Sequence, residues 1–210
     1  MVIPFFTVIL CTYQRADLIE RALLSLLAQT EEDWEAVIVD DGSTDGTEHI
    51  IQRYGQADPR FRYVSKDHDG SARARNRGID EARGLFVTFL DSDDAYKPDH
   101  LSTRRGMLLA YPTVQFLHGG VEVVGQPWVI DKDNPTVKIH VNDCVVGGTF
   151  VIRRTLFAEI GRFDEVSYAE DTLFYQRAEQ HGVIIARTDH PTYLYYRDNP
   201  DSLTHTYGQT

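Results

Sequence analysis

The chain has 210 residues and carries 32 acidic side chains against 21 Lys and Arg, a formal net charge of −11. That length suits one domain, or one domain with a small appendage, and 42% hydrophobic with 25% charged residues describes a globular protein able to bury a core. The acid excess excludes nucleic acid or an anionic membrane surface as the main partner, because phosphates require Lys and Arg to neutralise them.

Two cysteines, Cys11 and Cys144, make neither a disulfide framework nor a metal-type spacing, which points to a reducing compartment. The apolar start Val2 to Cys11 contains Pro4, lacks a positive leader and is too short to span a bilayer. No other window approaches about 18 apolar residues, so the expectation is a cytoplasmic protein without a transmembrane segment, reaching a membrane only from its periphery.

Phe6 to Cys11 reads as a buried strand. From Leu18 to Leu27 the apolar residues fall at 18, 19, 22, 23, 26 and 27, the 3.6-residue period of an amphipathic helix. Ala36 to Val39 is a second strand, followed by a helix from about Thr44 to Tyr54. Phe61 to Val64 is a third strand, 71–83 a third helix and Leu85 to Leu90 a fourth strand. Strands that are apolar on both faces and alternate with helices predict an α/β fold around a parallel sheet. After residue 95 the rhythm changes. Pro98 opens a helix to about Ala110. Val114 to Val124 and Val137 to Val141 read as strands with no helix between them, and 125–136 as a loop. Helices near 154–160 and 168–181 and strands at 183–187 and 192–196 complete the chain.

Ligands of open α/β sheets bind beyond the carboxyl ends of the strands, and there the sequence is unusual. The first strand runs into Thr12-Tyr13-Gln14-Arg15, the second into Asp40-Asp41-Gly42-Ser43 and the fourth into Asp91-Ser92-Asp93-Asp94. Five carboxylates therefore meet at one sheet edge, where like charges require a cation or donors to compensate them. Asp40-Asp41-Gly42-Ser43 also reads as a turn that caps a helix. Three acids in the four residues 91–94 exceed what a cap needs. Alternate carboxylates at Asp91 and Asp93 suit a hard divalent cation, Mg²⁺ or Mn²⁺. On the helix over 71–83, Ala72, Ile79 and Ala82 define the buried stripe, and Arg75 and Asn76 share it, whereas Arg73 and Arg77 face away. An inward Arg75 needs an anion: a carboxylate of the sheet, or a diphosphate at the acidic edge. Ser167 and Glu170 have the spacing of a capping box, so Glu170 has a structural explanation that Asp171 lacks. Asp171 also suits the first turn of a helix. Gly147-Gly148 makes a turn or lets the backbone approach something closely.

Taken together, Thr12-Tyr13-Gln14-Arg15, Val39-Asp40-Asp41-Gly42-Ser43, Gly70 with Ala74-Arg75-Asn76-Arg77-Gly78, Leu90-Asp91-Ser92-Asp93-Asp94, Gly147-Gly148 and Glu170-Asp171 resemble family 2 glycosyltransferases of the GT-A fold. The resemblance runs over roughly 6–200 and departs at Gln14, where the family commonly has Asn. It implies a Rossmann-like, mostly parallel sheet flanked by helices. Residues 1–97 would form the nucleotide-sugar half, and 98–210 a mixed half holding acceptor and base. It further implies that Tyr13 stacks on the nucleotide base beside Thr12 and Arg15, that Asp41 hydrogen-bonds the base and that Arg75 holds the diphosphate or nucleoside. Asp91 and Asp93 would be the Asp-x-Asp signature, with Asp93 the metal ligand, Asp91 nearer the ribose or sugar, and Asp171 the general base. The implied reaction is inverting transfer from a nucleotide-diphospho-sugar, a UDP-sugar in the first instance, to a glycan or lipid-linked acceptor in polysaccharide or cell-surface glycan synthesis. Donor and acceptor are the expected partners, and nucleic acid is not.

Two other classes compete. A metal-dependent phosphatase would use Asp-x-Asp as nucleophile but leaves Asp40-Asp41 and Asp171 unused. A non-catalytic nucleotide-sugar-binding module would be marked by a lost Asp171 or a broken Asp-x-Asp, and both are intact. A dinucleotide dehydrogenase is disfavoured, because no Gly-x-Gly-x-x-Gly turn follows the first strand. His118 and His205 are each assigned no role.

Overall fold

Every residue of β1 (Phe6–Thr12) except Cys11 is buried, as befits a strand covered on both sheet faces. The chain then alternates: α1 (Ile19–Leu27), β2 (Trp34–Asp40), α2 (Thr47–Ala57), β3 (Phe61–Ser65), α3 (Ser71–Glu81) and β4 (Phe86–Phe89). The second half holds β5 (Ala95–Tyr96), α4 (His100–Ala110), β6 (Phe116–Val124), β7 (Trp128–Ile130), β8 (Lys138–His140), β9 (Val151–Arg153), α5 (Leu156–Ile160), α6 (Glu170–Gln180) and β10 (Ile185–Tyr196). This computed structural model describes residues 3–131, 134, 136–166 and 169–197.

Eight strands form one sheet in the order β3-β2-β1-β4-β9-β6-β10-β5, and β7 and β8 pair as a separate antiparallel ribbon. The first four strands are parallel. β9 then runs antiparallel to both β4 and β6, and β10 is parallel to β6. A single reversed strand therefore restores the original direction, so the carboxyl ends of β6 and β10 open on the same edge as those of β1, β2 and β4. The expected α/β architecture with a mixed second half is what the chain adopts.

Side chains alternate across β1: Val8 and Leu10 pack on the face covered by Leu23 and Leu26 of α1, while Ile9 joins Phe89, Phe150 and Phe174 on the other. Removing each of these fully buried side chains from water contributes about 1.5–3 kcal/mol. β1 and β2 are in register from Phe6 opposite Trp34 to Thr12 opposite Asp40, which brings the two strand ends level.

The elements differ from expectation in the second half. The loop expected over 125–136 contains β7, and β9 lies in a stretch given no strand. The strands expected at 183–187 and 192–196 are one strand, β10, whose register with β6 shifts between Thr188 and Tyr193. Among the described residues no helix is long and apolar enough to cross a membrane.

Candidate active site

The edge where β1, β2, β4, β6 and β10 end encloses a cavity of about 470 Å³. Arg15 enters it from the loop after β1, Arg75 from α3, Asp91 and Asp93 from the loop after β4, and Asp171 from the first turn of α6. Val129, Ile130 and Ile139 of the β7–β8 ribbon and Tyr195 and Tyr196 at the end of β10 supply an apolar and aromatic wall. Cys11 sits at its floor, its thiol pushed up to about 12 by burial.

Helical spacing brings Arg75 inward, with Ala72, Ile79 and Ala82 buried beside it and Arg73 and Arg77 about half exposed. The guanidinium donates to Glu170 Oε1 at 2.7 Å and to Asp91 Oδ1 at 3.1 Å. Its pKa is raised despite burial, because Glu170 and Asp91 stabilise the cation. Asn76, on the same stripe, is consumed structurally: its amide donates to Phe163 O and accepts from Phe163 N–H.

Asp171 is held by backbone. Its Oδ2 accepts from Gly147 N–H at 2.9 Å and its Oδ1 from Thr172 N–H at 2.7 Å. A Cβ on Gly147 would stand 2.9 Å from the Asp171 Cβ and 3.2 Å from Arg75 Nη1, so close approach is what this glycine provides. A Cβ on Gly148 would lie 2.2 Å from the Tyr193 hydroxyl. Burial pushes the Asp171 carboxyl above the ordinary carboxylate range and the adjacent Glu170 adds to it, against the opposing pull of Arg75 and the two amides.

The five carboxylates at the edge divide into three groups. Asp40 is 1% exposed, accepts from Ser43 N–H and from the Tyr63 hydroxyl, and so is a turn residue. Asp94 is fully buried and fastens the loop after β4 to β10, accepting from the Tyr193 hydroxyl at 2.6 Å and Tyr196 N–H at 2.8 Å. Burial, with Asp91 and Asp93 nearby, pushes its pKa well up. Asp91 and Asp93 face the cavity.

Asp41 belongs to a second cluster. Its carboxylate is paired with Lys66, accepts from Asp69 N–H at 3.1 Å and Gly70 N–H at 2.9 Å, and lies 2.8 Å from His68 Nδ1. These donors hold its pKa below the usual range against the opposing effect of its burial. Tyr13, 40% exposed, stacks on the His68 ring with centroids 4.0 Å apart. Thr12 joins the cluster through its carbonyl, which accepts Asp41 N–H, while its buried hydroxyl has no hydrogen-bond partner among the described residues. Thr12, Tyr13 and Asp41 are thus together at the ends of β1 and β2, and do not line the 470 Å³ cavity.

Ala169, with φ of 60°, precedes α6, Glu170 is its first residue, and the Glu170 side chain is turned to Arg75; Ser167 lies outside the described residues, as does His205. His118 is nearly buried beside Phe116 and Tyr175, and burial with the Arg187 charge lowers its pKa to about 4. The partners that sequence reasoning missed are Glu170 for Arg75, Tyr193 for the loop after β4, and His68. Of these only Glu170 had a readable signal, its place next to Asp171.

Among the described residues no three His, Cys, Asp or Glu side chains are grouped to hold a metal by themselves. The cavity lining nevertheless has six carboxylates, Asp91, Asp93, Asp131, Asp143, Glu170 and Asp171, against the guanidiniums of Arg15 and Arg75. One or two of these oxygen donors fit Mg²⁺ or Mn²⁺, which bind through few carboxylates when substrate phosphates and waters complete the shell.

The match to the family described as glycosyl transferase family 2 covers residues 7–161. Among curated proteins, the chain is 30% identical over 156 residues to the Escherichia coli UDP-Glc:alpha-D-GlcNAc-diphosphoundecaprenol beta-1,3-glucosyltransferase WfgD, covering 71% of this chain and 60% of WfgD. It is 34% identical over 105 residues to the glycosyltransferase GlyA of Streptococcus pneumoniae, covering 50% of this chain and 15% of GlyA. The chain therefore spans less than two thirds of these relatives. Among solved structures, S. aureus TarS in complex with UDP-GlcNAc superposes with a TM-score of 0.78 at 25% identity, covering 96% of this chain and 60% of that one. The mannosyltransferase PcManGT of Pyrobaculum calidifontis, solved with GDP-Man and Mn²⁺, shares the fold with a TM-score of 0.73 at 24% identity, over 97% of this chain and 59% of its own. With a GT-A sheet, an acidic cleft at its carboxyl edge and a family match over residues 7–161, this chain belongs to glycosyl transferase family 2.

Proposed function

We propose that the protein transfers a sugar with inversion from a nucleotide-diphospho-sugar, a UDP-sugar, to an acceptor hydroxyl in polysaccharide or cell-surface glycan synthesis. The observation that carries this reading is one cavity lined by Arg75, Asp91, Asp93 and Asp171, which puts a phosphate-seeking cation, oxygen donors and a candidate base around one volume. In this reading 1–97 hold the donor and 98–210 contribute the acceptor side, with the β7–β8 ribbon as its wall. The acceptor is a glycan or a lipid-linked sugar reached from the cytoplasmic periphery of a membrane, and the name of the relative WfgD supports that choice.

Asp171 is the base. Two backbone amides fix its orientation, and its raised pKa makes it a stronger proton acceptor than an ordinary carboxylate. It takes the acceptor hydroxyl proton as the oxygen attacks the anomeric carbon and the glycosyl–phosphate bond breaks. Arg75 trades part of its pairing with Asp91 and Glu170 for the diphosphate. Asp93, with Asp91 beside it, would hold Mg²⁺ or Mn²⁺, which when bound supplies Lewis-acid stabilisation of the leaving diphosphate. Tyr13 and Asp41 recognise the base.

A thermal-shift screen of nucleotide diphosphates and their sugars tests the assignment. UDP and a UDP-sugar are expected to raise the melting temperature, more so with Mn²⁺ than in chelator, because the six lining carboxylates oppose a bare diphosphate. No stabilisation by any nucleotide diphosphate would contradict it.

A further inference from the structure

The cluster at the ends of β1 and β2 is already full. A carboxylate offers about four lone-pair sites, and Asp41 has three donors, the Lys66 ammonium and Asp69 N–H at Oδ1 and Gly70 N–H at Oδ2, with His68 Nδ1 standing 2.8 Å from Oδ2 while hydrogen-bonded to the Asp41 carbonyl oxygen at 3.1 Å. The same imidazole covers a face of Tyr13, at 4.0 Å and 17° between ring planes. His68 reaches this place because Gly42, with φ of +83°, leaves room beneath it: a Cβ there would stand 3.0 Å from His68 N.

A nucleobase recognised by Tyr13 and Asp41 needs two things, a ring face against the tyrosine and a ring N–H directed at the carboxylate. His68 supplies the ring face and sets its Nδ1 2.8 Å from Asp41 Oδ2, where such a ring nitrogen would stand. Of the three donors on the Asp41 carboxylate, two are backbone amides fixed by the chain and the third is a Lys66 ammonium shared with Asp69. The imidazole is the neighbour of Asp41 that can withdraw at least cost, since its side chain is about half exposed. We infer that His68 occupies the nucleobase subsite of the donor-free protein as an internal stand-in, and that the incoming base replaces it on both Tyr13 and Asp41. This inference rests on the nucleotide-donor reading above and extends it. The exchange selects bases with a ring N–H donor, as in uracil and guanine, over cytosine and adenine, whose corresponding ring nitrogen is an acceptor.

Two measurements test it. In titration calorimetry, His68→Ala removes the competitor, so UDP is expected to bind about two- to tenfold more tightly than to wild type, the size of one modest hydrogen bond. His68→Asn, which keeps a polar donor without the ring, is expected to fall between them, and CDP to bind more weakly than UDP throughout. In the wild type, the His68 ring protons are expected to be shifted upfield by the Tyr13 ring and to lose that shift when UDP saturates the protein. UDP binding that is unchanged or weaker in both folded variants would overturn the inference, as would His68 resonances that stay put on saturation. If neither UDP nor GDP binds wild type or variants, the donor reading itself falls, and the stand-in with it.

Discussion

Asp171 has two neighbours that decide its acidity: Glu170, whose charge opposes ionisation, and Arg75, which favours it. Burial outweighs the favourable contacts, so the carboxyl titrates above the ordinary range. A base must be ionised, so the acid limb of the kcat profile is expected at a pH above that of an ordinary carboxylate near 4. A limb at the ordinary value, measured with saturating donor and metal, would contradict this. Gly147 and Gly148 give a second residue-scale prediction. The Cβ of Gly148→Ala would meet the buried Tyr193 hydroxyl, and overpacking of this kind costs about 1–3 kcal/mol by denaturant titration. Gly147→Ala presses on the Asp171 Cβ instead, so turnover is expected to fall further than stability; equal and small losses in both would count against its positioning role. At this scale the sequence was partly legible. The inward turn of Arg75 follows from its register with Ala72 and Ile79. The pairing with Glu170 did not, because Ser-x-x-Glu spacing offered a local explanation that the helix start at Glu170 removes.

Among the elements, the loop after β4 depends on β10. Asp94 accepts from Tyr193 and Tyr196, and Asp91 N–H donates to the Tyr193 hydroxyl at 3.4 Å, so the last strand fixes the position of the acidic loop. Asp94→Asn keeps the size and an acceptor for Tyr196 N–H, and is expected to fold with little loss. Asp94→Ala strands the Tyr193 hydroxyl and Tyr196 amide and is expected to cost about 1–3 kcal/mol. The folded pKa of Asp94 is raised, so the folded state holds its proton more tightly than the unfolded chain does. Its contribution is complete below the unfolded carboxylate value and is lost as pH rises through the folded one. Asp94→Asn should flatten that pH dependence in melts; an unchanged slope would contradict the assignment. The parallel half was readable because β1 to β4 are apolar runs separated by periodic helices. β5, β7 and β9 are two or three residues long, too short to display a period, and only tertiary pairing defines them.

For the whole molecule, the net charge of −11 acquires a location. The cleft concentrates six carboxylates around two arginines, both at the edge where the sheet topology brings β1, β4, β6 and β10 together. In the proposed reading a divalent cation screens the diphosphate from this acidic surface, so the acid excess expected to disfavour nucleic acid is compatible with a metal-bridged nucleotide. The edge was legible from the strand-end motifs, whereas the enclosing wall was not, since Val129, Ile130 and Ile139 carry no chemistry in the sequence and gain meaning from the ribbon that folds over the site. In the proposed mechanism, donor binding and proton abstraction are separate tasks within this cleft. This separation is tested most directly by measuring UDP affinity and sugar transfer side by side in wild type and Asp171→Asn, with Mn²⁺ present. The variant is expected to bind UDP within about twofold of wild type and to lose at least about 100-fold in transfer, the lower bound for a missing general base. Transfer at the wild-type rate by a folded Asp171→Asn would contradict it.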